Sequence, residues 1–116
     1  MNLIFNAAKL ALASGQIQYL TDTIKVMLVT DVYTPDIDAH LYLSDILNIA
    51  GAQAEGAGYV SGGKALVNKS ISSDLITNRT AWKADNLTWA TSTLRVRGAV
   101  IYKDTGVAGS SLLLIY

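Results

Sequence analysis

Apolar residues at Leu3, Ile4, Ala7, Leu10 and Ala11 recur at three-four spacing, and Ser14-Gly15 supplies a stop, so the pattern predicts a short amphipathic helix over residues 3–14. The period then shortens to two. Across residues 23–30, Ile24, Val26 and Leu28 alternate with Lys25, Met27 and Val29, and the β-branched content predicts a mostly buried strand. Tyr33-Thr34-Pro35-Asp36 breaks that run; Thr34 suits an N-cap and Pro35 the first helical position, which predicts an irregular helix over 36–47. From 51 to 63 the chain turns to alanine, small polar residues and the five glycines Gly51, Gly56, Gly58, Gly62 and Gly63. A flexible loop is expected there, longer than most connections in compact domains. Strands follow at 64–71, 79–84, 87–91, 94–103 and 112–116, with turns at Asp85-Asn86 and Asp104-Thr105-Gly106. In the fourth of these strands Leu94, Val96, Gly98, Val100 and Tyr102 share a core face, while Arg95, Arg97 and Lys103 share the other with Ala99 and Ile101.

These elements predict one domain over 1–116 that is mainly β: an antiparallel β-sandwich or partly open barrel with a short N-terminal helix and a candidate second short helix. Its parts are an N-terminal helix or arm (1–20), the glycine-rich loop (51–63) and a β-rich part (64–116). The last strand is the most informative. Ser110-Ser111 lead into Leu112, Leu113, Leu114, Ile115 and Tyr116 with nothing polar after them. An exposed apolar edge is a template for pairing with another chain, and a terminus frays unless something ties it down. Either a neighbouring subunit covers this edge, or the sequence is clipped.

Composition sharpens that expectation. Hydrophobic residues make up 51% of the chain and charged ones 16%, against about a quarter charged in ordinary soluble domains, so part of the surface is expected to be covered by something other than water. Nine Lys and Arg balance nine Asp and Glu, which removes the long-range field that draws a chain to nucleic acid or anionic lipid. Neither partner is expected. The absence of cysteine excludes disulfides, thiolate nucleophiles and the usual cysteine-bearing zinc sites. Ala11-Leu12-Ala13 has the small-x-small form of a signal cleavage site, but no Lys or Arg precedes the apolar segment and Lys9 interrupts it, so a signal peptide is rejected. No stretch reaches the ~18 apolar residues of a membrane span. Synthesis in a cytoplasm is the expectation.

Each candidate chemistry lacks a necessary group. Gly58-Tyr59-Val60-Ser61-Gly62-Gly63-Lys64 has the spacing of a phosphate-cradling loop, but Ala65 stands where a Ser or Thr must reach magnesium and the following residues alternate like a strand. Asp36, Asp38 and His40 would converge on a strand as metal ligands; Pro35 favours a helix start instead, where the carboxylates complement the helix dipole. His40 is the only histidine, and no triad or carboxylate pair forms around it. Trp82 and Trp89 flank the Asp85-Asn86 turn, so a hairpin would set them on one face, as core or as a sugar-stacking platform. Asn68, Asn78 and Asn86 begin Asn-x-Ser/Thr triplets and are read as ordinary strand and turn residues. No cofactor and no catalytic residue is expected.

Five segments carry a resemblance: Asp22 to Thr30, Tyr33-Thr34-Pro35-Asp36, Gly56 to Gly63, Ala84-Asp85-Asn86-Leu87-Thr88-Trp89 and Ala99 to Gly106. In this order, over nearly the whole chain, they resemble a family of small virion proteins of tailed bacteriophages, similar to capsid cement or decoration components. The resemblance implies a structural role on the capsid surface of a virion, synthesis in a bacterial host, a homo-oligomer, and the major capsid protein and other virion proteins as partners. A tail or baseplate component, or a carbohydrate-binding attachment module, is the alternative. Members of the family often continue beyond their last apolar strand, whereas nothing follows Tyr116 here; a partner's strand would then replace the missing one. The residues expected to make assembly contacts are Leu3, Ile4, Phe5, Tyr59, Val60, Arg95, Arg97, Leu113, Ile115 and Tyr116.

Overall fold

The computed structural model describes residues 3–89 and 92–116. Helix α1 (Asn6–Ala13) is followed by β1 (Ile24–Val29), α2 (Leu43–Leu47), β2 (Lys64–Ala65), β3 (Ser70–Asp74), β4 (Arg79–Lys83), β5 (Gly98–Lys103), a 3₁₀ turn at Ala108–Ser110, and β6 (Leu113–Ile115). The mainly β expectation holds, with two antiparallel sheets, a short N-terminal helix and a second short one. One sheet has the order β2-β1-β5-β6; the other is the β3-β4 hairpin.

Alternation decides which side of the four-stranded sheet is buried. Register pairs Met27 with Val100 and Val29 with Gly98 on one face. Over that face Phe5, Ala8 and Ala11 from the N-terminal segment and Leu43 and Ile46 from α2 complete the core. On β6 the register slips by one residue between Ile101 and Tyr102, a bulge that sets two successive side chains against one partner. Leu113 and Leu114 are therefore both buried, and Ile115 falls opposite Ile101 on the other face.

The terminal strand is not an open edge, which corrects the central expectation from sequence. Leu43 N–H donates to the Ser111 carbonyl (2.8 Å) and Leu113 N–H to that of Leu41 (3.0 Å), while Phe5 N–H donates to Leu114 (2.9 Å) and Leu3 and Tyr116 exchange bonds of 3.0 and 2.8 Å. Residues 41–43 and 3–5 thus pair end to end along the outer margin of β6. The chain supplies its own partner strand.

The opposite margin is closed in the same way, so the glycine-rich segment is a pinned edge and not the flexible loop expected. Thr30 N–H reaches the Ala52 carbonyl (2.8 Å) and Ala54 N–H that of Leu28 (3.0 Å), and Leu66 N–H bonds Ile24 further along. In the gap between these two stretches the Tyr59 hydroxyl accepts from Leu28 N–H (3.1 Å). Gln53 Oε1 receives the Tyr59 hydroxyl (3.2 Å) and Gly62 N–H (2.6 Å), and the Tyr102 hydroxyl holds the Gly62 carbonyl (2.6 Å). Gly63 must be glycine: its φ is +80°, and a Cβ there would lie 1.8 Å from the Val26 carbonyl oxygen.

Several boundaries move. The helix expected over 36–47 contracts to Leu43–Leu47, because the Asp36 carboxylate captures the Asp38 and Ala39 N–H groups (3.1 and 3.0 Å) in a turn of its own. The strand expected over 94–103 begins at Gly98; Leu94 is only half-buried and Val96 is exposed. Of the strand expected over 87–91, residues 87–89 carry none and residues 90 and 91 lie outside the described set.

Candidate functional site

With both margins closed, the unfinished part of the sheet is a face. β1 and β5 present Val26, Leu28, Ala99 and Ile101 on the side away from the helices, and Ile115 extends that row across β6. All five are half-buried. Val26, Ala99, Ile101 and Ile115 of this row form the floor of a groove of about 710 Å³, bordered by Leu3, Arg97, Gly98 and Tyr116. At one end it is bordered by Gly98 and Tyr116. A Cβ on Gly98 would meet the Tyr116 hydroxyl at 2.9 Å and two ring carbons at 3.0 Å, so only glycine lets that ring lie against the strand. Tyr116 in turn tilts against Tyr33, 5.9 Å between centroids.

The lining is apolar apart from the Arg97 guanidinium and the Tyr116 hydroxyl. Neither is a nucleophile set beside a base. Strongly perturbed groups lie elsewhere. Burial pushes the Tyr33 and Tyr102 phenols well above their ordinary range; Tyr116, then Asp36 and Asp45, add to this for Tyr33, and Asp104 then Tyr59 for Tyr102. Tyr33 also lies 3.0 Å from His40 Nδ1. Asp104 is held below the usual carboxylate range, first by the hydrogen bond from Lys25 (2.9 Å), then by Gly106 N–H. These groups tie the turns together.

Of the residues expected as contacts, the structure brings Leu3, Arg97, Ile115 and Tyr116 together in this groove. Ile4 and Val60 are exposed elsewhere, Ile4 beside a second cleft of about 290 Å³ with Leu12, Thr80, Trp82 and Leu114. Phe5 and Leu113 are 0% exposed, and the core packing that buries them removes them from any contact surface. Tyr59 is spent on Leu28 and Gln53, and Arg95 pairs with Asp31 at 2.9 Å on an exposed surface. Sequence reasoning does not single out Val26, Ala99 and Ile101 as site residues, although the alternation that puts them on one face is readable.

The other candidates disperse. Trp82 stacks on Tyr19 at 4.7 Å and Trp89 tilts against Tyr59 at 6.2 Å. β4 pairs with β3, and the Asp85 N–H turns instead to the Val67 carbonyl (2.9 Å). The tryptophans are therefore packed on separate tyrosines, and no shared platform forms. Lys64 lies over the Trp89 ring, 5.4 Å from its centroid, and bonds the Thr88 carbonyl, in a strand and not a phosphate loop. Among the described residues no group of three acidic, histidine or cysteine side chains could hold a metal ion, and no helix is long and apolar enough to cross a membrane. Comparison with family models, with curated proteins and with solved structures found no match to this chain.

Proposed function

We propose that this chain is a structural protein of a tailed-bacteriophage virion, a cement or decoration component that stabilises the capsid shell by covering the apolar face of its sheet with neighbouring subunits. The observation that carries the reading is that face: an aliphatic floor with one cationic rim residue, beside a terminal strand whose own edge is already paired. The ordered resemblance of five segments to small tailed-phage virion proteins supports the same reading. A rigid groove whose strands are fixed on both sides suits permanent contact, because little order has to be created on docking. A stable interface buries about 1,200–2,000 Å² in total, and the groove would form the dry centre of one. The major capsid protein and other virion proteins are then further partners, reached through surfaces around the groove.

The test is the composition of purified particles. Quantitative mass spectrometry of virions is expected to find the chain at copy numbers comparable to those of the shell subunits. Ala99→Glu, which sets a carboxylate on the groove floor, should abolish incorporation while the purified variant remains folded. A few copies per particle, or a multiple that follows tail length, would move the protein to the tail or baseplate. Detection only in infected-cell lysate would overturn the virion reading.

A further inference from the structure

The β3-β4 hairpin has no evident role within one copy. It is anchored at its base, where Trp82 stacks on Tyr19 and the Tyr19 hydroxyl donates to the Lys83 carbonyl (2.9 Å). Every residue from Ser70 to Thr80 is exposed. At the tip, between the paired residues Asp74 and Arg79, stand Leu75 and Ile76, 88% and 93% exposed. Hairpin tips are ordinarily made of Gly, Asn, Asp and Ser, so two adjacent aliphatic side chains there run against turn chemistry. The tip is also held in shape. The Asp74 carboxylate accepts the Ile76 and Thr77 N–H groups (2.9 and 3.3 Å), and Asn78 adopts φ +56°. Two apolar side chains are thereby presented on a fixed backbone.

We propose that the Leu75-Ile76 tip of one copy seats in the sheet-face groove of a second copy. This rests on reading the sheet face as an assembly surface and names its occupant. The groove, about 710 Å³, lies in the range that encloses a drug-sized ligand, about 300–1,000 Å³, which accommodates two aliphatic side chains and the turn between them. One charge pair is available. Arg97 is exposed at the groove and has no ion-pair partner among the described residues, while at the tip Asp74 keeps acceptor capacity beyond its bonds within the turn and stands opposite Arg79, so the tip must seat with its Asp74 side toward Arg97. The area is of the right size. The chain exposes 6994 Å², whereas a compact monomer of its 12.4 kDa mass exposes about 6,130 Å². The excess of about 860 Å² is close to one partner's share of a standard interface, about 800 Å². Each copy offers one knob and one groove on different patches, so the contact is head-to-tail unless two copies exchange tips about a two-fold axis.

Sedimentation equilibrium on the purified chain tests this, with circular dichroism to verify that each variant is folded. The wild type is expected to self-associate in the micromolar range. Leu75→Ser with Ile76→Ser, both in solvent, should weaken association by about a hundredfold or more. Arg97→Glu, on an exposed side chain, should weaken it by about tenfold, and Ala99→Glu should abolish it. Mixing the tip variant with the Ala99→Glu variant restores one intact knob and one intact groove, and is expected to recover a one-to-one pair. A wild type that stays monomeric, or association that ignores the tip substitutions, would overturn the inference. A monomer still found in virions at shell stoichiometry would leave the functional reading standing, whereas self-association through the tip without presence in virions would remove only that reading.

Discussion

Phe5→Ala separates a sealed terminal strand from the open edge that the sequence alone suggests. Phe5 is 0% exposed, belongs to the core cluster, and its N–H donates to the Leu114 carbonyl at 2.9 Å. Truncating a buried phenylalanine removes its transfer free energy and leaves a cavity, together about 3–5 kcal/mol. That is a large share of the about 5–15 kcal/mol by which a domain is stable. At about 4 °C per kcal/mol for a chain of this size, the melting temperature should fall by about 12–20 °C. Urea denaturation measures the change through the midpoint, with an unaltered slope. Ile4→Ala is the internal control, since Ile4 sits on the same segment but is 47% exposed; it should cost less than about 1 kcal/mol. Hydrogen exchange gives a second readout: the Tyr116 amide, bonded to the Leu3 carbonyl at 2.8 Å, should be protected in the wild type and lose protection in Phe5→Ala. A loss below about 1 kcal/mol, with a Tyr116 amide that exchanges freely in the wild type, would mean that the N-terminal segment does not cover β6.

Two glycines and one carboxylate give further tests. Gly98→Ala should cost about 1–3 kcal/mol, because the new Cβ strikes the Tyr116 ring; Gly63→Ala should cost more, since backbone stands in the way and the φ of +80° is itself unfavourable. Equal midpoints for wild type and Gly63→Ala in urea would refute the edge geometry. For Asp104, whose carboxyl is lowered in the fold chiefly by Lys25, the stabilisation is complete above the unfolded value near about 4 and is lost as pH falls through the lower folded value. Asp36 and Asp45, lowered first by backbone N–H groups of Ala39 and Tyr42, act in the same direction. Stability should therefore be level through neutral pH and decline in acid. Asp104→Asn should lose about 1 kcal/mol at pH 7 and decline less steeply below pH 4, and parallel acid limbs for the two proteins would exclude the Lys25 contact as a contributor.

What could be read from sequence was whatever depended on neighbours along the chain. The alternation of Ile24 to Val29 and of Gly98 to Lys103 set out two central strands and the correct side chains on each face. The three-four spacing around Ala7 and Ala11 located α1. Contacts made across the chain were not legible. Nothing local shows that residues 3–5 and 41–43 meet the same margin of β6, or that a bulge turns Leu113 and Leu114 to the same side. Glycines at 51–63 marked backbone freedom, but the hydroxyls of Tyr59 and Tyr102 and the Gln53 amide that remove that freedom come together only in three dimensions. The Asp85-Asn86 turn reads as the bend of a Trp82–Trp89 hairpin because β3, the strand that β4 pairs with, carries Ser70, Ser72, Ser73 and Asp74 and has little apolar signature.

The composition calls for apolar surface, and the structure places that surface elsewhere than sequence alone suggests. A chain with 51% hydrophobic and 16% charged residues leaves apolar surface somewhere, and the terminal run was the obvious place for it. Pairing with residues 3–5 and 41–43 satisfies the backbone of that run, and the bulge buries two of its leucines. The surplus then falls on two surfaces that cannot reach each other's role within one copy: a sheet face with an aliphatic floor and a hairpin tip made of Leu75 and Ile76. Association through such surfaces differs from strand addition. An open edge pairs with any extended backbone, because its hydrogen bonds carry no side-chain information. A groove with a defined floor and a single cation at the rim accepts only a complementary shape.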